Sequence, residues 1–326
     1  MYVSFIVIGK NEGRTLKQCF DSIKQYSENN MIDYEVIYVD SQSTDDSVKI
    51  ASRNKMVKTY LIEKPCTPAI ARNSGAGKSS GNLLFFLDGD MIINSYSRFS
   101  DIVQDGKAIS PFQSASWIDV YGISQDSDVP PILENGWDQS TVVKPVLSAG
   151  GLFIIEREIW LSLNGMDELF ICNEDKDLGF RYYRKYRMKI MKLSTIMAFH
   201  YTTHYFDSER YYHLVKEGYF ISKGYLLRKH LFSLRLVLSL FSGNTLSFML
   251  TIIISIISIL LGRPIFLLSI LMVHYGRVLV IKDAPLKTSK LIIFILNIIV
   301  DFQSIFGIFT YDIKKYFASS ISAKEK

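Results

Sequence analysis

The sequence predicts an α/β fold, a mostly parallel sheet flanked by helices, followed by a membrane-directed helical region. Three observations carry that expectation. Over the first 90 residues, short apolar runs of strand length alternate with amphipathic helical stretches, the order that builds parallel sheets with right-handed crossovers. One run, residues 83–87 (LLFFL), leads straight into two carboxylates one residue apart, Asp88 and Asp90. Beyond about residue 229 charge nearly vanishes for long stretches.

At 326 residues and 48% hydrophobic content, the chain can hold one large or two modest domains and is too apolar to be wholly soluble with so many Lys and Arg. The net charge of +5 is modest. Much of the basic surplus lies beside the apolar runs, which points to membrane flanks and away from nucleic acid. Cys19, Cys66 and Cys172 are odd in number and unevenly spaced, fitting a reducing compartment without a disulfide or metal-ligand pattern. Residues 2–8 are too short and lack the basic start for a signal peptide, so the first domain is expected to stay where it is made.

In chain order, residues 3–8 (VSFIVI) predict a strand, 9–13 a polar turn, and 15–26 a helix with Leu16, Cys19, Phe20 and Ile23 on one face. Residues 34–39 (YEVIYV) predict a second strand ending at Asp40, with Thr44 as N-cap of a helix over 45–53 whose Asp45 and Asp46 suit the helix dipole. A third strand is expected over 58–62, a helix over 69–79 and the fourth strand over 82–87. Open α/β sheets bind ligands at strand C-termini, where Asn11, Glu12, Asp40, Asp88 and Asp90 all fall. Carboxylates at an Asp-Gly-Asp bend can reach one divalent cation or, through it, a diphosphate; a solvated turn is the plain alternative. The GAGKS run at 75–79 mimics the end of a phosphate loop, but Arg72 stands where that motif needs its first glycine and no strand precedes it. Arg72 is instead placed to reach a diphosphate or to form a surface ion pair.

Prolines and Trp117 and Trp137 between 97 and 145 suggest loops and edge strands that could cover a substrate. Residues 146–155 (VLSAGGLFII) predict another strand in which Gly150 and Gly151 permit close approach by a sugar or diphosphate. In NEDKDLGFR, 173–181, Asp177 can pair along a helix with Glu174 or Arg181, which leaves Asp175 pointing elsewhere. His200 closes the run 196–201 (IMAFHY), with His204 shortly after.

Four ordered segments, VSFIVIGKNEG, VDSQSTDDS, ARNSGAGKSSGNLLFFLDGD and GMDELFICNEDKDLGFR, together resemble a family 2 glycosyltransferase of the GT-A fold over about residues 1–205. The resemblance implies that Glu12 and Asp40 hold base and ribose and that Arg72 contacts base or phosphate. It implies that Asp88 faces ribose and metal, that Asp90 ligates the metal and that His200, or His204 in its place, completes a Mn2+ or Mg2+ site. Asn11 and Gly151 join the donor-binding set and Glu174 the acceptor loop, while Asp175 becomes the general base. An attacking sugar hydroxyl must lose a proton and a departing diphosphate needs a cation, so base and metal on opposite faces give one in-line displacement with inversion. Ser41 and Gln42 depart from the Asp and Gly usual in the family, so the base is not assigned. No QxxRW motif of processive synthases of similar fold appears, which argues for one sugar per encounter.

The expected organisation is a catalytic domain over 1–207, with a nucleotide-binding half to about 95 and an acceptor half after it. An amphipathic juxtamembrane helix over 208–235, membrane helices within 236–312 and a polar tail follow. Residues 236–261 are uncharged and long enough to cross a bilayer, 265–281 carry His274 and Arg277, and 291–309 carry Asp301; Asp301 needs a partner such as His274 or Arg277. Basic flanks place the catalytic domain on the cytoplasmic side of a multi-pass cell-membrane protein, with two or three crossings. The expected activity is transfer from a nucleotide diphosphate sugar to a lipid-linked or growing glycan acceptor in cell-surface polysaccharide or glycolipid synthesis. Membrane lipid is an expected partner, nucleic acid is not, and a homo-oligomer stays open. A nucleotidyltransferase, a haloacid dehalogenase-like phosphohydrolase and a non-catalytic binding module on an anchor are the alternatives; Ile92 stands where the phosphohydrolase motif prefers Thr or Val.

Overall fold

A computed structural model describes residues 1–63, 66–120, 144–203, 207–230, 246–264, 267–280 and 290–310. The chain divides into two compact units, Met1–Thr202 and Thr203–Lys326.

The first unit is built on β1 (Tyr2–Gly9), α1 (Leu16–Asn29), β2 (Asp33–Asp40), α2 (Ser47–Arg53), β3 (Val57–Leu61), α3 (Pro68–Lys78) and β4 (Leu83–Asp88). Short strands β5 (Met91–Ile93), β6 (Val103–Gln104) and β7 (Lys107–Ala108) follow, then β8 (Phe112–Val120), β9 (Lys144–Val146), β10 (Phe153–Glu156), α4 (Arg157–Ser162), α5 (Glu174–Tyr186) and β11 (Ile190–Tyr201). Strands β3, β2, β1 and β4 run parallel in that order. The sheet continues through β10, antiparallel to both β4 and β8, to β11, which lies parallel to β8. Strands β5 and β9 pair antiparallel with β11. The parallel half arises because β1 and β4 are apolar on both faces. Val3, Phe5 and Val7 pack with Phe20, Ile23 and Tyr26 of α1, while Ile6 and Ile8 pack on the other face with Ala69, Ala71 and Phe86.

Gly75 of the GAGKS run lies in α3, where a Cβ would strike Ile6 and come within 3.2 Å of Val39. That glycine serves helix–sheet contact, in keeping with the rejection of a phosphate loop. Three other expectations change. Thr44 does not cap α2: Asp46 is the N-cap, and Thr44 donates its N–H to Asn11 Oδ1 at 2.7 Å. The strand expected over 146–155 is two short strands, β9 and β10, with Gly150 at φ +73° in the connection, a conformation that ends strand pairing. The sheet is also less parallel than expected, because β10 enters between β4 and β8 in the opposite direction.

The second unit consists of α6 (Ser208–Lys216), α7 (Ile221–Lys229), α8 (Leu246–Leu261), α9 (Leu267–Val280) and α10 (Lys290–Thr310). The single juxtamembrane helix is thus two helices, broken at Gly218, whose φ of +70° no ordinary helix residue adopts. Asp301 of α10 and His274 of α9 are both fully buried, with His274 Nε2 3.6 Å from Asp301 Oδ2, which answers the need for a partner. Among the described residues one helix is long and apolar enough to cross a membrane, residues 290–309. Helices α8 and α9 span 16 and 14 residues, so the expectation of several crossings is not carried by the described residues. Residues 236–245, the side chain of Arg277 and His204 lie outside them.

Candidate active site

The ends of β1 and β2 are knitted together by their turns. Asn11, at φ +62°, donates its N–H to Ser43 Oγ at 2.8 Å and receives Thr44 N–H, and Gly13 N–H reaches Asp45 Oδ2 at 2.9 Å. Asp40 is 1% exposed, its Oδ2 accepting Ser43 N–H at 2.8 Å and its Oδ1 the Tyr38 hydroxyl at 3.2 Å. Gln42 adopts φ +62°. The chain thus keeps the left-handed conformation at the position where the resembled family has glycine.

Glu12 follows Asn11 beneath the Asp-Gly-Asp bend. Gly89 donates its N–H to Ile8 O at 2.8 Å, and a Cβ on it would sit 3.2 Å from Glu12 Cγ. Burial first, then the charges of Asp90, Asp88 and Asp45, push the Glu12 carboxyl up to about 8, since burial and like charges both disfavour the carboxylate.

Arg72 links the two acidic segments. Only 3% exposed, it donates from Nη2 to Asp88 Oδ1 at 2.9 Å and from Nη1 to Glu174 Oε1 at 2.8 Å. Both terminal nitrogens are therefore held by carboxylates, from β4 and from the first turn of α5. Glu174 is buried in that first turn and faces the Asp88 corner; burial raises its carboxyl to about 7, with Arg72 opposing and Asp175 adding to the rise. Asp88 is raised by burial and by Asp90 against the pull of Arg72.

Asp175, next in the helix, faces the β9–β10 connection, where its Oδ2 accepts from the Ser148 hydroxyl and from Gly150 N–H. Its Oδ1 takes no hydrogen bond among the described residues. A Cβ at Gly151 would lie 2.6 Å from Asp88 Oδ2. One Gly-Gly turn thus touches Asp175 with its first residue and Asp88 with its second. Asp177 and Arg181 pair along α5 at 2.7 Å, as the spacing predicts.

His200, at the end of β11, places Nε2 3.1 Å from Asp90 Oδ2 and Nδ1 2.7 Å from Asp119 Oδ1. Burial alone would lower its pKa; the hydrogen bonds to Asp90 and Asp119 prevail and raise it to about 9. Asp90 Oδ1 is buried with no protein partner. An orphaned carboxylate oxygen beside a second carboxylate and an imidazole fits a Mn2+ or Mg2+ donor set, although no group of three His, Cys, Asp or Glu side chains is poised around one point among the described residues. Sequence reasoning missed Asp119 and Ser148, and placed Trp117 only in a covering segment; its indole N–H also donates to Asp119 Oδ1 at 3.1 Å. Only the pairing of β8 with β11 and the fold of the 148–151 turn bring them in.

Among solved structures, the chain is similar to S. aureus TarS 1–349 at 19% identity, with a TM-score of 0.47, covering 66% of this chain and 64% of that one. The same protein in complex with UDP-GlcNAc matches at 18% identity, TM-score 0.46, over 66% and 65%. The chain thus spans a little under two thirds of those chains. No curated protein sequence matches it. The family model described as Glycosyl transferase family 2 matches residues 4–110, from β1 through the Asp-Gly-Asp bend to just past β7. Over that segment, about a third of its length, the chain is similar to glycosyl transferase family 2.

Proposed function

We propose that this chain transfers a sugar, with inversion, from a nucleotide diphosphate sugar to a hydroxyl of a lipid-linked or growing glycan acceptor. The observation that carries the reading is the Arg72 bridge, which brings carboxylates 86 residues apart in sequence, Asp88 and Glu174, onto one guanidinium. Asn11, Glu12 and Asp40 line the donor end and Asp88 with Gly151 the diphosphate end. Asp90, Asp88 and His200 are the residues that would hold Mn2+ or Mg2+, and a cation there supplies charge neutralisation for the departing diphosphate. Asp175 takes the proton of the attacking hydroxyl at its unbonded Oδ1 while Ser148 and Gly150 fix the other oxygen; the new glycosidic bond forms as the bond to the diphosphate oxygen breaks.

Acceptor class and location are read from the second unit. Leu260, Met272, Leu291, Phe306 and Phe309 are large apolar side chains more than half exposed, a pattern that suits lipid better than water. With the basic residues Arg228 and Lys229 at the end of α7, it supports membrane attachment with the catalytic unit on the cytoplasmic side.

The test is a screen of the detergent-purified chain against uridine, guanosine and thymidine diphosphate sugars with Mn2+ or Mg2+, read as nucleoside diphosphate release. At least one donor gives a metal-dependent signal that Asp90→Ala and Asp175→Asn abolish. Release of pyrophosphate, or of inorganic phosphate from a phosphoester, would reassign the site to nucleotidyl transfer or to phosphohydrolysis.

A further inference from the structure

The carboxylate of Asp119 is assigned no part in the mechanism above, yet it makes the shortest polar contact to the His200 ring. We propose that Asp119 is a positioning residue. By accepting the His200 Nδ1–H it fixes the tautomer and ring plane that present Nε2, as a ligand, to a divalent cation shared with Asp90. The inference rests on the reading of Asp90 and His200 as metal ligands.

The geometry divides the imidazole between two carboxylates on opposite sides. Nε2 faces Asp90 Oδ2 at 3.1 Å and Nδ1 faces Asp119 Oδ1 at 2.7 Å, so Asp119 stands behind the ring and away from the orphaned Asp90 Oδ1. The same Asp119 oxygen accepts the Trp117 indole N–H, and that indole meets the His200 ring edge-on, with centroids 6.3 Å apart and planes at 85°. Trp117 is held in turn against the Gly150 turn, where a Cβ would come 2.9 Å from its Cη2. Two aromatic rings are thus locked by one carboxylate oxygen. A ligating imidazole needs such a partner, because a rotating or wrongly protonated ring offers the cation no lone pair.

The contact is built by the sheet. Strand β11 pairs with β8 in three registers, starting with Met191 opposite Gln113, passing through Ile196 opposite Ser116 and reaching a last one in which His200 lies opposite Asp119, with irregularities between Lys192 and Ile196 and between Ile196 and Ala198. On the first register, Met197 would lie opposite Asp119. Bulges of this kind re-aim side chains beside functional sites; here they turn a methionine position into a histidine one.

The test is Mn2+ binding to the full chain in detergent, measured by electron paramagnetic resonance of the free ion, for wild type, His200→Ala, Asp119→Ala and the double variant. Asp119→Ala weakens Mn2+ binding about 10–100-fold, the usual cost of losing such an outer partner. The double variant binds no more weakly than His200→Ala, because Asp119 acts only through the ring. Asp119→Asn, whose amide oxygen still accepts from Nδ1–H, recovers most of the loss. An Asp119→Ala protein that binds Mn2+ like wild type while His200→Ala is impaired overturns the proposal alone, as does an effect that adds in full to that of His200→Ala. A wild-type chain that takes up no Mn2+, or one indifferent to His200→Ala, overturns the metal assignment and this inference with it.

Discussion

Arg72 has one buried guanidinium serving two carboxylates, so its removal leaves the buried Glu174 and the partly exposed Asp88 without their shared cation. Replacing one member of a buried ion pair costs about 3–5 kcal/mol, and Arg72→Met is expected to lower the stability of the chain by that order in a denaturant titration. Arg72→Lys keeps the charge and loses the fork, so it falls between. A second residue-scale prediction concerns Glu35 of β2, opposite Ser4 of β1 and 6% exposed. Burial would raise its carboxyl, but hydrogen bonds from Lys58, Ser80 and Ser4 outweigh it and lower the value from 4.5 to about 2. The folded value lies below the unfolded one, so the unfolded chain binds more protons on acidification. The contribution is complete above pH 4.5 and disappears as pH falls toward 2. Glu35→Gln should lose about 1.5–3 kcal/mol near neutrality, and thermal unfolding of variant and wild type should converge at low pH.

At the scale of elements, what was legible in the sequence was whatever depends on local pattern. The β1–β4 half, with α1 and α3, follows from apolar period and turn chemistry, and its residues Asn11, Glu12, Asp40 and Asp88 reach one sheet edge because each ends or follows a parallel strand. The 146–155 run misled, since seven apolar residues around two glycines read as one strand until Gly150 takes φ +73°. Asp119 was hidden for a different reason: its partner is set by a bulged register across 81 residues of chain, and no local spacing encodes a register. The second unit adds a test of its own. Gly224 of α7 and Gly307 of α10 meet backbone to backbone, and a Cβ on Gly307 would overlap Ile221 O and reach 3.1 Å from Ile221 Cα. Small residues permit such close helix crossings in lipid. Gly307→Val should destabilise the second unit by about 1–3 kcal/mol, read as a lower melting temperature in detergent, whereas the same change at Gly276, where an added Cβ would meet nothing within 4 Å among the described residues, should cost less.

For the whole molecule, Arg72 joins two acidic segments, and the proposed function divides its chemistry between them: donor and cation on the Asp88–Asp90 side, proton removal on the Asp175 side. That division makes binding and transfer separable, and a single sample can report both. The decisive measurement is single-turnover sugar transfer by Asp175→Asn, with donor affinity titrated on the same protein. The account predicts donor binding within about threefold of wild type and transfer slowed by about 10²–10⁴, the usual loss on removing a general base. Transfer at the wild-type rate by Asp175→Asn would contradict it.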